Sequence, residues 1–188
     1  MVSIVDLWLP ILLSAVFVFI VSSIIHMATP MHKSDWKKLN DEDSLLRAMR
    51  DQQLGVGRYM FPCPDGMADL ATPAMQEKYN QGPVGFLTVV PDGPPSMGKP
   101  LITWFSYSIL IGVFAGYVAT LGLERGAAYS AVFRMTGTIA FLAYGLSDIP
   151  SSIWKGQSWW ITIKFMFDGL LYGLVTAGTF GWLWPADV

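Results

Sequence analysis

The chain has 188 residues, 53% of them hydrophobic and only 14% charged, with a net charge of −2. Soluble domains carry roughly 25% charged residues, so the composition speaks against a water-soluble domain, and a slightly acidic chain offers no basic field for nucleic acid. The single cysteine, Cys63, excludes an intramolecular disulfide and any multi-cysteine metal cage.

The first element is an apolar run over residues 4–28, led by Trp8. It is long enough to cross a ~30 Å hydrocarbon core. It lacks a basic leader, carries Asp6 instead, and has no small-residue cleavage site, so it reads as a retained anchor.

Residues 29–100 form a polar insertion. "NDEDSLLRAMRDQQLG" has Asn40 or Asp41 as a cap, acids in its first turn, arginines later and Gly55 beyond its end. These features predict a helix over about 41–53. Leu45, Leu46 and Met49 share one face, which suits a bilayer surface or a neighbouring protein. Eight of the twelve prolines lie between Pro62 and Pro100. "GFLTVVPDG" reads as a short strand into a turn, with "RYMF" as its partner.

Three further apolar spans follow, over about 101–123, 127–148 and 159–184. Trp159 and Trp160 open the last, and Trp182 and Trp184 close it, which suits two interfacial belts. The expected fold class is therefore an all-α integral membrane protein with four transmembrane helices and a Pro/Gly-rich insertion between the first and second. It is a single membrane domain with a cap over 29–100. Lys33, Lys37, Lys38, Arg47, Arg50, Arg58, Lys78, Lys99 and Lys155 fall on one side, and only Arg125 on the other. That bias predicts a multi-pass protein of the cell (inner) membrane with both termini outside and residues 29–100 in the cytoplasm.

Charges inside the spans are the candidate site. Arg134, Thr138, Gly145 and Asp148 lie on one helical stripe, as do Lys164, Asp168, Tyr172 and Thr179. Lys164 either snorkels or pairs with Asp148, and one turn away it offers a partner to Asp168. The competing reading makes Asp168 a proton-titrating or ligand-binding carboxylate, since intramembrane charges are costly. Arg134 is expected to reach the outer surface, to pair with Asp6 or Glu124, or to point toward Asp168. Gly112 and Gly116, and the Gly-x-x-x-Gly pair Gly169 and Gly173, allow close helix approach.

"HMATPMHKSDW" holds both histidines. His26, Met31 and His32 are the candidate metal ligands, because imidazoles and thioethers suit copper. Pro30 interrupts the helix and no tight His-x-His repeat occurs, so no metal site is expected from the pattern. No phosphate loop, nucleophile elbow or His-Glu-x-x-His pair is present, and the expectation is a protein that is not an enzyme.

The order of one span, the segment from Trp36 to Leu39, then three spans, with "IWKGQSWW" leading into "GLLYGLVTAG", resembles an uncharacterised family of bacterial four-helix membrane proteins. The resemblance covers the helical parts and implies the fold but no site residues. The Pro-rich insertion departs from it. The function expected from the sequence is a non-enzymatic membrane subunit packing against partner proteins in a larger complex. The glycine faces support this, since they exceed what four helices need for their own packing. The alternative is a small oligomeric transporter or channel-like protein using Asp168 and Arg134. Partners are the lipid bilayer and other membrane proteins or further copies of the chain, with no nucleic acid.

Overall fold

A computed structural model describes residues 1–187. The chain is mostly helical, and its contacts divide it into two compact units. The first comprises residues 1–36, 96–150 and 158–187, and the second residues 37–95 and 151–157.

The first unit is built from α1 (Trp8–Ser23), α5 (Gly98–Thr120), α6 (Tyr129–Tyr144) and α8 (Trp159–Leu183). A 3-10 turn over Ile4–Leu7 leads into α1, and its capping box joins Ser3 and Asp6. A single π turn, Ile24–Ala28, extends α1 until Thr29 leaves helical geometry ahead of Pro30. Three helices, Ile4–Ala28, Gly98–Thr120 and Trp159–Leu183, are long and apolar enough to cross a membrane. Their flanks present Phe17, Ile20, Leu110, Phe114, Leu170 and Leu174 outward. A water-soluble bundle would bury such side chains.

The third span expected over 127–148 is shorter in the structure. α6 has 16 residues, or about 24 Å at helical rise. It stops at Gly145, whose N–H still bonds to the carbonyl of Phe141, and Pro150 lies just beyond. The second span lies three residues earlier than expected, with Pro100 in its first turn, where a missing N–H costs nothing.

Helices follow one another up and down, so two ends can be distinguished. At the first end, Leu7, Ile11, Ala119, Val132, Phe180 and Trp184 form one core. There Asp6 pairs with Arg125 at 2.7 Å, which leaves Arg134 to the other placements the sequence allowed it. At the second end, Val18, Ile25, Ile111, Ala140, Tyr144 and Tyr172 form another.

The glycines are consumed inside the bundle. A side chain on Gly169 would collide with the backbone of Gly145 and Tyr144, and one on Gly137 would sit 2.8 Å from Ala177. Gly173 abuts Phe141, Gly112 abuts Ile11 and Ser14, and Gly116 abuts Leu7 and Phe180. Close α6–α8 and α1–α5 packing therefore uses the surfaces that the sequence offered to partner proteins. Buried hydroxyls are settled locally too. Ser14, Ser22, Ser108, Thr136, Thr176 and Thr179 each donate to a carbonyl three or four residues back, so none needs water.

The second unit holds α2 (Glu42–Asp51), a hairpin of β1 (Gly57–Phe61) and β2 (Gly85–Val89), α3 (Met67–Leu70) and α4 (Pro73–Gln81). The short helix α7 (Ile149–Lys155) contributes residues to both units. Asp41 caps α2 by accepting from the Ser44 N–H at 3.1 Å. The helix ends earlier than Gly55. Gln53, with φ of 53°, takes the left-handed position, and the N–H groups of Gln53 and Leu54 return to Arg50 and Met49. Leu45 and Leu46 remain 44% and 41% exposed, so the apolar face exists but is not shielded within the chain. The strands pair antiparallel, Arg58 opposite Thr88 and Met60 opposite Phe86, as the two sequence runs suggested.

Candidate metal centre

The charged residues of the last helix do not pair with each other. Lys164 is 8% exposed and donates to three acceptors, the Met31 carbonyl at 2.8 Å, Ser34 Oγ at 3.0 Å and Asp35 Oδ1 at 2.5 Å. An ammonium has three protons, and each finds an oxygen from the same short segment. Asp148, which the sequence offered to Lys164 as the alternative to snorkelling, lines a cavity with Tyr144 and Ser147.

Asp168, 1% exposed, is met by the two histidines rather than by Lys164, Arg134 or Tyr172. The chain geometry after α1 makes this possible. The π turn carries His26, Pro30 ends the helix, and two successive turns (Lys33 N–H to Pro30, Asp35 N–H to His32) fold the segment back toward α8. His32 then stacks on His26 with ring centroids 4.4 Å apart, and Phe165 packs 5.1 Å from His32.

His32 Nδ1 lies 2.6 Å from Asp35 Oδ2, and His32 Nε2 lies 2.9 Å from Asp168 Oδ2. His26 Nε2 approaches the same Asp168 oxygen at 3.5 Å. One ligand atom from each of His26, His32 and Asp168 lies within 4.8 Å of the others. With bonds of ~2.1 Å, tetrahedral ligand atoms stand ~3.4 Å apart, and the two distances to Asp168 bracket that edge. His26, with a side chain 40% exposed, is the member of the cluster with room to adjust.

Behind these atoms stands a supporting layer. Metal-bound histidines almost always give their other ring N–H to a carboxylate or carbonyl, and Asp35 occupies that position for His32. Burial alone would raise the Asp35 carboxyl. The hydrogen bonds and charges of Lys164 and His32 outweigh it and hold the group below its ordinary value.

A cavity of about 370 Å³ opens beside the cluster. Its walls are Trp104, Tyr107, Tyr144 and Tyr172, whose rings contact one another at 5.5 to 6.0 Å. His26, Phe165 and Asp168 complete the floor. Among the described residues, only Asp168 Oδ1 and the Tyr172 hydroxyl are buried side-chain polar atoms with no hydrogen-bond partner.

Of the other candidates, Met31 serves through its carbonyl and packs against the second-end core. Arg134 is exposed on α6 and lines a separate groove with Gly137 and Leu170. Cys63 is exposed in the second unit. Asp35 and Ser34 were missed from the sequence, although "HKSDW" placed them beside His32. Comparison with family models, with curated proteins and with solved structures finds no match.

Proposed function

We propose that this chain is a multi-pass membrane protein that holds a divalent first-row transition-metal ion between His26, His32 and Asp168. One observation carries the reading. His32 bridges two carboxylates, with Nδ1 2.6 Å from Asp35 Oδ2 and Nε2 2.9 Å from Asp168 Oδ2, and in the tautomer that donates from Nδ1 the Nε2 lone pair faces Asp168. Two lone pairs at that distance repel unless a positive charge lies between them. That charge is either a proton or a metal ion. His26 favours the metal, because a second imidazole nitrogen converges on the same oxygen at 3.5 Å, and one shared proton needs no second imidazole. Two nitrogens and one oxygen suit zinc, cobalt or ferrous iron better than calcium or magnesium.

In this reading α6 is a fourth, short crossing. The insertion lies on the cytoplasmic side and both termini lie outside, in keeping with the lysine and arginine distribution. The metal then sits at the cytoplasmic boundary. The protein is an accessory component that binds an ion and carries out no catalysis. A transport path through Arg134 has less support, because Arg134 faces a different groove from Asp168.

The test is calorimetric and spectroscopic titration of EDTA-stripped protein in detergent with Zn²⁺ and Co²⁺. One equivalent is expected, with visible cobalt bands of a low-symmetry N₂O site. His32→Ala and Asp168→Asn should each lower affinity at least about 100-fold, and Asp35→Asn about 10–100-fold. Folded protein that binds no ion, or whose binding ignores all three changes, refutes the metal. An imidazolium signal from His32 in nitrogen-15 spectra of the metal-saturated protein would assign the position to a proton. Sidedness is checked in a Cys63→Ser background by labelling cysteines placed at Ser3 or Asn80. An impermeant reagent in intact cells should modify only the first.

A further inference from the structure

The aromatic cavity is a second binding element that shares His26 and Asp168 with the candidate metal cluster, and its chemistry is specific. We propose that it binds a neutral hydroxylated aromatic ring, the class of phenols and hydroquinones, entering through an apolar rim.

Three observations select that class. The first is the wall. The rings of Trp104, Tyr107, Tyr144 and Tyr172 meet at angles from 37° for Trp104 and Tyr107 to 88° for Tyr107 and Tyr144. Such a lining offers edges and faces to a flat ring. Its rim is apolar, with Met27 83% and Met97 64% exposed.

The second is the set of polar atoms still free. The Trp104 indole N–H is spent on Ser22 Oγ at 2.9 Å, and the Tyr107 hydroxyl on the Ala143 carbonyl. Ser147 donates to the Tyr144 carbonyl and Asp148 is also engaged, so the buried side-chain atoms of the lining without a partner are Asp168 Oδ1, an acceptor, and the Tyr172 hydroxyl, which can donate or accept. Both residues are more than nine-tenths buried and both line the cavity. Leaving such atoms unpaired is costly. A ligand that fits must bring one donor for Oδ1 and an oxygen that Tyr172 can also reach. One aromatic hydroxyl does both.

The third is charge. The other oxygen of Asp168 already faces two imidazole nitrogens. A full cation in the cavity would compete with whatever positive charge those nitrogens share with the carboxylate. A neutral donor does not. At Asp168 this disfavours an organic ammonium, which the aromatic walls and the Asp148 carboxylate would otherwise accept.

The inference does not depend on the metal, because Oδ1 is not the oxygen the histidines face. The test uses full-length protein in detergent micelles, once EDTA-treated and once with zinc, with empty micelles as the blank. Three fluorinated probes of the same ring size are compared by fluorine-19 NMR: 4-fluorophenol, fluorobenzene and 4-fluorobenzylamine. Saturable binding of 4-fluorophenol is expected in both preparations, about 10-fold tighter than either other probe. Tyr172→Phe should weaken the phenol about 5-fold and leave fluorobenzene unchanged. Equal binding of fluorobenzene shows an unselective apolar hole and overturns the proposal. Tighter binding of the amine overturns it in favour of a cation site. A folded Tyr172→Phe variant with unchanged phenol affinity overturns the assignment of the hydroxyl. If that variant does not fold, the ranking of the three probes on the unaltered protein decides alone. Phenol selectivity without zinc binding would remove the metal and leave this site standing.

Discussion

Removing one member of the Lys164–Asp35 pair should damage the fold far more than removing both. Their side chains are 9% and 8% exposed, and the ion pair is 2.5 Å long. In Lys164→Met, Asp35 keeps only His32 as a partner and remains buried. In Asp35→Leu, the ammonium keeps the Met31 carbonyl and Ser34 but loses its counter-charge. Stranding a buried charge costs about 3–5 kcal/mol, whereas apolar replacement of a whole pair is often close to neutral. Each single variant should therefore lose about 3 kcal/mol or more, roughly a 100-fold fall in the folding constant. The double variant should lose less than the sum of the singles by at least about 2 kcal/mol. The assay is reversible unfolding from a mild detergent into a denaturing one, followed by far-ultraviolet circular dichroism. Single variants within about 0.5 kcal/mol of the parent, or strict additivity, would show that the pair is solvated and that the segment after α1 is not anchored by it.

Three smaller predictions follow from other parts of the chain. Gly169→Ala forces a methyl into the Gly145 backbone and should cost about 1–3 kcal/mol in the same unfolding assay. Gly66→Ala, with open space around it, should change nothing measurable there. Arg125→Ala breaks a pair whose side chains are about one-third exposed, so its loss should stay below about 1 kcal/mol and shrink further in high salt. The Asp41 carboxyl lies below its ordinary 3.8, held there by hydrogen bonds from the Ser44 side chain and backbone. Its contribution to α2 is therefore present above the unfolded value and fades as pH falls through the lower folded value. Carbon-13 titration of that carboxyl should show a midpoint under 3.8.

Local chemistry made much of this architecture readable in advance. The three long helices follow from apolar length, α2 from an acidic start and an Asp cap, and the hairpin from two β-prone runs flanked by turn residues. α6 was overestimated because hydropathy continues through Gly145 and Leu146, whereas backbone geometry stops at the glycine. The centre was legible only in fragments. An aspartate one turn from a lysine invites a local pair, but Lys164 finds three oxygens in the segment after Pro30 and Asp168 supplies none of them. His32 and Asp168 are 136 positions apart, and no periodicity relates them. The glycine stripes pointed to close-approach surfaces, yet sequence could not say that the neighbouring helix was the chain's own.

The convergence of early histidines on a late aspartate also imposes a timetable on synthesis. His26 and His32 leave the ribosome long before Asp168, and at 5–20 residues per second the interval is roughly 7–27 s. Throughout that time the two imidazoles, Asp35 and Ser34 have been made, but the helix that carries Lys164 and Asp168 has not. The segment after Pro30 cannot take its final path until α8 inserts, because the ammonium that gathers Met31, Ser34 and Asp35 belongs to α8. Any occupant that requires all three ligands is thus captured only as the last helix enters, which makes arrival of α8 the step that completes the protein.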